Sequence, residues 1–231
     1  MKQSASSKRK FVSKCVTYGI VVVFYILIQV LNGMGMISPS IAGQLVPICA
    51  YVTMAIALNL VVGFSGELSL GHAGFMSVGA FSGIVASMSL QQAIPNGAAR
   101  LAIAMVVGAV FAGIAGVIVG VPVLRLQGDY LAIVTLAFGE IVRALLRLIQ
   151  PIGGARGMIG IPNYANFFWI MLFVVLTLWL LRNLIYSPYG RAFIAIRDNE
   201  IAADAMGINT TKYKIMSFCI AAFIAGVAGG L

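Results

Sequence analysis

The sequence predicts an all-α fold, a polytopic transmembrane helical bundle of about six or seven spans, on three observations. Apolar residues fill 61% of the 231 positions and charged residues only 9%, where a soluble domain carries roughly a quarter charged. The apolar residues come in runs close to one bilayer crossing, about 20 residues of helix. The few charges fall mostly in the gaps between runs, and mean hydropathy is +1.03. Glycine is plentiful at 26 residues and proline modest at 7, which suits helices that pack closely in lipid.

The elements follow in order. Residues 1–14 carry Lys2, Lys8, Arg9, Lys10 and Lys14 and read as a cytoplasmic basic N-terminus under the positive-inside rule. Residues 15–231 read as the membrane domain. The apolar run from Val16 to Leu31 is long and no A-x-A-like site follows it, so an uncleaved first span at 13–37 is expected. Further spans are expected at 42–63, 72–90, 100–123, 130–150 and 166–186, with a last run from 215 onward.

With the N-terminus inside, gaps 38–41, 91–99 and 151–165 lie outside and hold only Arg156, with Arg100 at a border. Gaps 124–129 and 187–214 lie inside with Arg125, Arg191, Arg197, Lys212 and Lys214. This bias explains the net charge of +9 without a nucleic-acid partner. A multi-pass protein of the cytoplasmic (inner) membrane, in contact with lipid, is expected.

The last run, Ile215 to Leu231, makes about 25 Å of helix, short of a hydrocarbon core of about 30 Å. Ala112-Gly-Ile-Ala-Gly116 recurs in it as Ala225-Gly-Val-Ala-Gly229. Small-residue packing motifs that recur in any bundle explain the echo, and so does an internal repeat whose second half is missing. Either way a fragment is expected. Cys15, Cys49 and Cys219 are odd in number and lie in or beside apolar runs, and His72 is the only histidine. Neither a disulfide framework nor a metal site is expected.

The most polar run of the second half is RDNEIAADAMGINTTKYK, residues 197–214. Asp198 or Asn199 suits an N-cap, Glu200 suits the positive end of a helix dipole, and Gly207 suits C′. That defines about two turns, with Ile201, Ala205 and Ile208 along one side. So short a helix is marginal in water and needs something to dock on.

Two places are candidates for lining a solute path. In the first, Gly63, Gly66, Gly71 and Gly74 interrupt an apolar stretch that also holds Ser65, Glu67, Ser69 and His72. Broken helices at membrane depth often form transporter sites, and a tight cytoplasmic turn between spans explains the same residues. In the second, Asp129, Leu136, Glu140, Arg143 and Arg147 share one stripe of span 5. Glu140 falls about 15 Å along that helix, where a charge costs roughly 2.5–3.5 kcal/mol and should face the bundle interior or water. Glu140 and Arg143 are an i, i+3 pair, read as a structural ion pair or as part of the path.

Three blocks carry a family resemblance. Glu200-x-Ala-Ala-x3-Gly207 resembles the EAA motif of ABC importer permeases. It lies in Ser187-Pro-Tyr-Gly-Arg-Ala-Phe-x-Ala-Ile-Arg-x-Asn-Glu-x-Ala-Ala-x-Ala-Met-Gly-Ile-Asn-x-x-x-Tyr-Lys214, a string similar to the branched-chain amino acid permease family, LivM-type subunit. Gly63-Phe-Ser-Gly-Glu-Leu-Ser-Leu-Gly-His-Ala-Gly-Phe75 and Leu124-Arg-Leu-x-Gly-Asp-Tyr to Arg143 resemble two further family blocks, in family order. Ile152-Gly-Gly-Ala-Arg-Gly157 only partly follows the family's TGG-x-x-G pattern.

The resemblance covers roughly residues 45 to 231, and the family continues for several more helices. It implies that 187–214 is a cytoplasmic coupling loop, with Glu200, Ile201, Ala202, Ala203, Ala205 and Gly207 in contact with an ATPase. It implies two ATPase subunits, a homologous second permease subunit and an extracytoplasmic solute-binding protein as partners. No Walker A pattern (G-x4-G-K-S/T) is present, so no cofactor is expected in this chain, and ATP and Mg belong to partner subunits. The cargo implied is a branched-chain or other neutral amino acid, with urea or a short-chain amide as alternatives. An ion-coupled transporter or channel using Glu67 and Glu140 is the competing class. An intramembrane enzyme lacks support, since neither HExxH nor GxSxG occurs.

Overall fold

The computed structural model of the chain describes residues 19–36, 38–91, 93–94, 96–126, 128–149 and 167–231. The basic N-terminus, Arg156 and the 152–157 string lie outside the described residues. Every regular element among those described is helical: α1 (Gly19–Gly33), α2 (Pro39–Asn59), a π-helical turn (Leu60–Ser65), α3 (His72–Ser89), α4 (Gly97–Val123), α5 (Asp129–Leu148), α6 (Phe167–Tyr186), α7 (Pro188–Asp198), α8 (Glu200–Ala205) and α9 (Thr210–Gly230). Side-chain caps mark several starts: Asn96 accepts from Ala98 N and Asn209 from Lys212 N.

Helices Ser40–Ser65, Gly97–Val123, Phe167–Tyr186 and Thr210–Gly230 are long and apolar enough to cross a membrane. The remaining predicted spans are also helices, but α3 is diluted by glycine and serine and α5 carries the charged stripe.

The centre is a three-helix unit of α3, α4 and α9, which make the most extensive contacts in the bundle. Glycine allows the close approach. A Cβ at Gly79 (α3) would strike the backbone of Gly226 (α9), and one at Gly108 (α4) would reach the Gly79 carbonyl oxygen at 2.5 Å. A Cβ at Gly226 would strike Ala112 Cβ, and one at Gly116 would meet Ala222 Cβ at 2.7 Å. The echoed segments of α4 and α9 therefore pack on each other. Lipid offers helices no hydrophobic gain on association, so such backbone proximity supplies much of the attraction.

Below this seam Phe75, Phe138 and Phe218 pack ring to ring, Phe75 and Phe218 edge-on at 5.4 Å. A second cluster joins α2 to α6 through Cys49, Ala50, Ile170, Met171 and Val174, with Tyr25 of α1 stacked on Phe167.

Two expectations are corrected. The last span begins at Thr210, not near 215, so it reaches about 31 Å. Its early lysine is neutralised by carboxylates and need not stay outside. The 187–214 segment also holds more helix than a loop with one short helix. Proline at the start of α7 initiates an 11-residue helix, which buries Phe193 completely.

The contrast between two glycines tests the seam. Gly226→Val is expected to cost about 1–3 kcal/mol through overpacking, read as a lower unfolding temperature in detergent. Gly113→Ala, whose added carbon would only touch Phe223 at 3.6 Å, is expected to stay within about 0.5 kcal/mol of wild type.

Candidate functional site

The break between α2 and α3 organises the site. The helix widens into the π turn, and Gly66 ends it at φ 78, a left-handed conformation that glycine adopts without steric penalty. Residues 66–71 then run non-helically to His72. Buried polar groups gather here: Ser65, Ser69, His72, Thr135, Lys214 and Ser217 are each at most 4% exposed.

Lys214, in the second turn of α9, sits at the centre. Its Nζ lies 2.7 Å from Glu67 Oε1 and 2.7 Å from Glu200 Oε1. One ammonium thus joins the broken segment to the first residue of α8. The Lys214 side chain is 5% exposed, Glu67 11% and Glu200 39%, so this is a buried cluster opening to the surface on the α8 side.

A second tie runs parallel to it. Arg197 Nη1 donates to the Gly63 carbonyl oxygen at 2.9 Å, while Nε and Nη2 donate to Asp198 Oδ1 at 3.2 and 3.0 Å. Any Cβ at Gly66 would meet Arg197 Cγ at 2.8 Å. The Ser217 hydroxyl lies 3.2 Å from that of Ser65 and 2.9 Å from the Lys214 carbonyl oxygen. Ser69 Oγ lies 3.1 Å from His72 Nδ1, and the imidazole meets Phe75 and Phe218 edge-on. Its Nε2 has no partner among the described residues.

The far side of the break rests on α5. Leu70 N donates to Thr135 Oγ1 at 3.1 Å, and a Cβ at Gly71 would strike the Thr135 carbonyl oxygen. Gly74 approaches the Cα of Gly139 to 3.0 Å on the same measure. Thr135 is about 9 Å along α5 from Asp129. The break therefore lies near the α7–α8 end, as a turn does, yet is tucked inside the bundle.

The structure brings Gly63, Gly66, Glu67, Ser69 and His72 together with Glu200, joining residues that the sequence placed in two separate groups. Glu140 and Arg143 lie elsewhere. They pair at 3.2 Å with side chains 58% exposed, along with Asp129, Leu136 and Arg147 on the exposed face of α5. Of the two settings expected for Glu140, the bundle interior or water, the side chain does not take the interior of this chain's own bundle, and its expected partner Arg143 is beside it. Val142, Thr135 and Leu131 occupy the inward face instead.

In α8, Asn199 is the cap and accepts from Ala202 N at 3.0 Å, and Gly207 follows the helix at φ 82. Ala203 is buried, whereas Ala202 and Ala205 are exposed. Ile201 and Met206 are 83% and 82% exposed. Lys214, Arg197, Thr135, Ser217 and Met206 were not singled out from sequence. A lysine close to a predicted span, with unpaired acids elsewhere, is the signal that points to Lys214.

The fold and this buried polar cluster are those of a polytopic helical membrane protein. The chain belongs to the family described as "Branched-chain amino acid transport system / permease component", whose model matches residues 40–231. It is 37% identical to the high-affinity branched-chain amino acid transport system permease protein LivM of Salmonella typhimurium (strain LT2), over 78% of this chain and 49% of that one. The Escherichia coli (strain K12) LivM protein is 36% identical over the same shares. The ribose import permease protein RbsC of Haemophilus influenzae is 26% identical over 76% of this chain and 55% of that one, so relatives include sugar permeases. The chain spans about half the length of the LivM relatives. No solved structure matches it.

The cap has a measurable consequence. Asn199→Ala is expected to cost about 1 kcal/mol locally. Hydrogen exchange at the Ala202 amide should then quicken roughly fivefold, with amides of the α3–α4–α9 seam unaffected.

Proposed function

We propose that this chain acts as a membrane subunit of an ATP-driven importer of branched-chain or similar neutral amino acids. In this reading α8 docks into a groove of a separate ATPase, and α5 lines the solute route. The chain sits in the cytoplasmic membrane with its N-terminus and α7–α8 inside. A homologous permease subunit completes the bundle and a binding protein delivers solute from outside.

The observation that carries the reading is the surface of α8. Ile201 and Met206 project almost fully from a capped, polar-flanked segment. Neighbouring apolar side chains exposed on a polar-flanked segment suit a protein contact. Ala202 and Ala205 beside them keep the surface low enough for close approach, and Glu200 fastens the helix to the bundle behind it. The charged face of α5 suits the second part. A zwitterionic amino acid presents an ammonium and a carboxylate, and Glu140 with Arg143 offers both complements about 4.5 Å apart along the helix axis.

Cysteines at Ala202 or Ala205 are expected to crosslink to a co-purified ATPase, with a yield that changes with nucleotide state. Absence of a crosslink from both positions in every state would refute the docking. Glu140→Gln and Arg143→Gln are expected to lower leucine uptake at least about tenfold at equal protein level. Unchanged uptake in both would remove α5 from the route.

A further inference from the structure

We infer that Lys214 is the joint through which movement of α8 reaches the broken segment and then α5. This rests on the docking reading above and adds the path inside the chain. Three contacts and one stretch of helix make that path continuous. Glu200 of α8 meets the Lys214 ammonium, which meets Glu67 in the break, each at 2.7 Å. Three residues on, Leu70 N is held by Thr135 Oγ1 of α5. Thr135 stands five residues, about 7.5 Å, before Glu140 on the same helix.

The joint is polar where the surrounding bundle is apolar. A buried ammonium follows its carboxylates, because separating it from either one inside a low-dielectric bundle is costly. An apolar contact at the same place would slide. The segment that receives the motion is also the part of the bundle best able to bend. It is non-helical over 66–71 and begins at a glycine with φ 78. The Arg197 bond to the Gly63 carbonyl oxygen also ties α7 to the near end of that segment, so α7 and α8 both act on that end while α5 holds the far one. By contrast, the α3–α4–α9 seam has backbones too close to slip. The Lys214 backbone is anchored in α9 at the foot of that seam, and it is the long side chain that follows the carboxylates. Lys214 is thus a positioning residue. It touches neither the solute route on α5 nor the exposed docking surface of α8.

The test uses the complete transporter, this chain with its permease partner and ATPases, in proteoliposomes with the binding protein and leucine. Solute moved and ATP hydrolysed are measured together. Lys214→Met is expected to keep the ATPase in the complex while leucine moved per ATP falls about tenfold, the size of a typical coupling free energy. Lys214→Arg, which preserves the charge, is expected to restore at least about half of the wild-type ratio.

Glu67→Gln leaves Lys214 paired with Glu200 and takes the charge from the onward link, reducing it to a neutral hydrogen bond, so it is expected to lower the ratio in the same direction. It decides alone if Lys214→Met does not accumulate. A ratio within about twofold of wild type in both Lys214→Met and Glu67→Gln would overturn the joint and leave the docking intact. Lys214→Arg behaving no better than Lys214→Met would overturn it as well. Loss of the ATPase from the wild-type complex would instead sink the docking itself, and the joint with it.

Discussion

Lys214 cannot be buried in an apolar bundle without opposite charge beside it, and meeting that need arranges the polar end of the molecule. The two carboxylates come from places far apart in sequence, Glu67 between α2 and α3 and Glu200 at the start of α8. Each is drawn to a point set by the second turn of α9. The broken segment therefore cannot close into a continuous helix without pulling Glu67 away, and α8 cannot drift outward without stripping Glu200 from the ammonium. Two carboxylates against one ammonium leave a surplus negative charge. The surplus falls most cheaply on Glu200, which is the most exposed of the three. Removing one partner from a buried pair costs roughly 3–5 kcal/mol because the other stays behind uncompensated.

The base of this cluster is stiff for a different reason. Along α3, α4 and α9 the contacts are backbone on backbone, where Gly79, Gly108 and Gly226 leave no side chain to swing aside. Such an interface either holds or separates, since close-packed surfaces are not continuously deformable. In α5 the balance differs. It touches α3 and, less extensively, α4, and its inward residues are few: Leu131, Ala132, Thr135 and Val142. The molecule thus combines a rigid three-helix wedge with more lightly held elements around the break.

Much of this was legible in the residues. Apolar runs separated by charge located the helices from α2 to α6, and the Asn199 and Gly207 signals located α8, because caps and left-handed glycines are local properties. Glu67 and Glu200 were legible as candidates, but not as neighbours. Their meeting depends on how α9 is set against the break, which is a tertiary relation. Lys214 was hidden by the positive-inside rule itself, which accounts for any lysine beside a span without asking whether it is buried. The α7 helix was missed because its apolar residues, Phe193 and Ile196, sit among arginines in a segment that composition assigns to a loop. Glu140 was legible as a charge that needs the bundle interior or water, but not which of the two its own chain leaves it. An intramembrane charge needs protein or water around it, and that shelter need not come from its own chain.

That last point bears on what surrounds α5. Its charged face is open in the isolated chain, with the Glu140 and Arg143 side chains more than half exposed. Lipid is a poor neighbour for such a face, since each charge at mid-membrane carries a cost of roughly 2.5–3.5 kcal/mol. Pairing within the helix offsets part of that cost but leaves the outward lone pairs and N–H groups without partners. Either protein or a water-filled space must lie against this stripe when the chain is in a membrane. The opposite face of the same helix holds Leu70 and Gly71 of the break. A polar route along the outward face of α5 would therefore be separated from the charged joint by only the thickness of one helix. A helix so placed changes both sides when it tilts, and its light contacts with α3 and α4 leave it freer to tilt than any member of the central wedge.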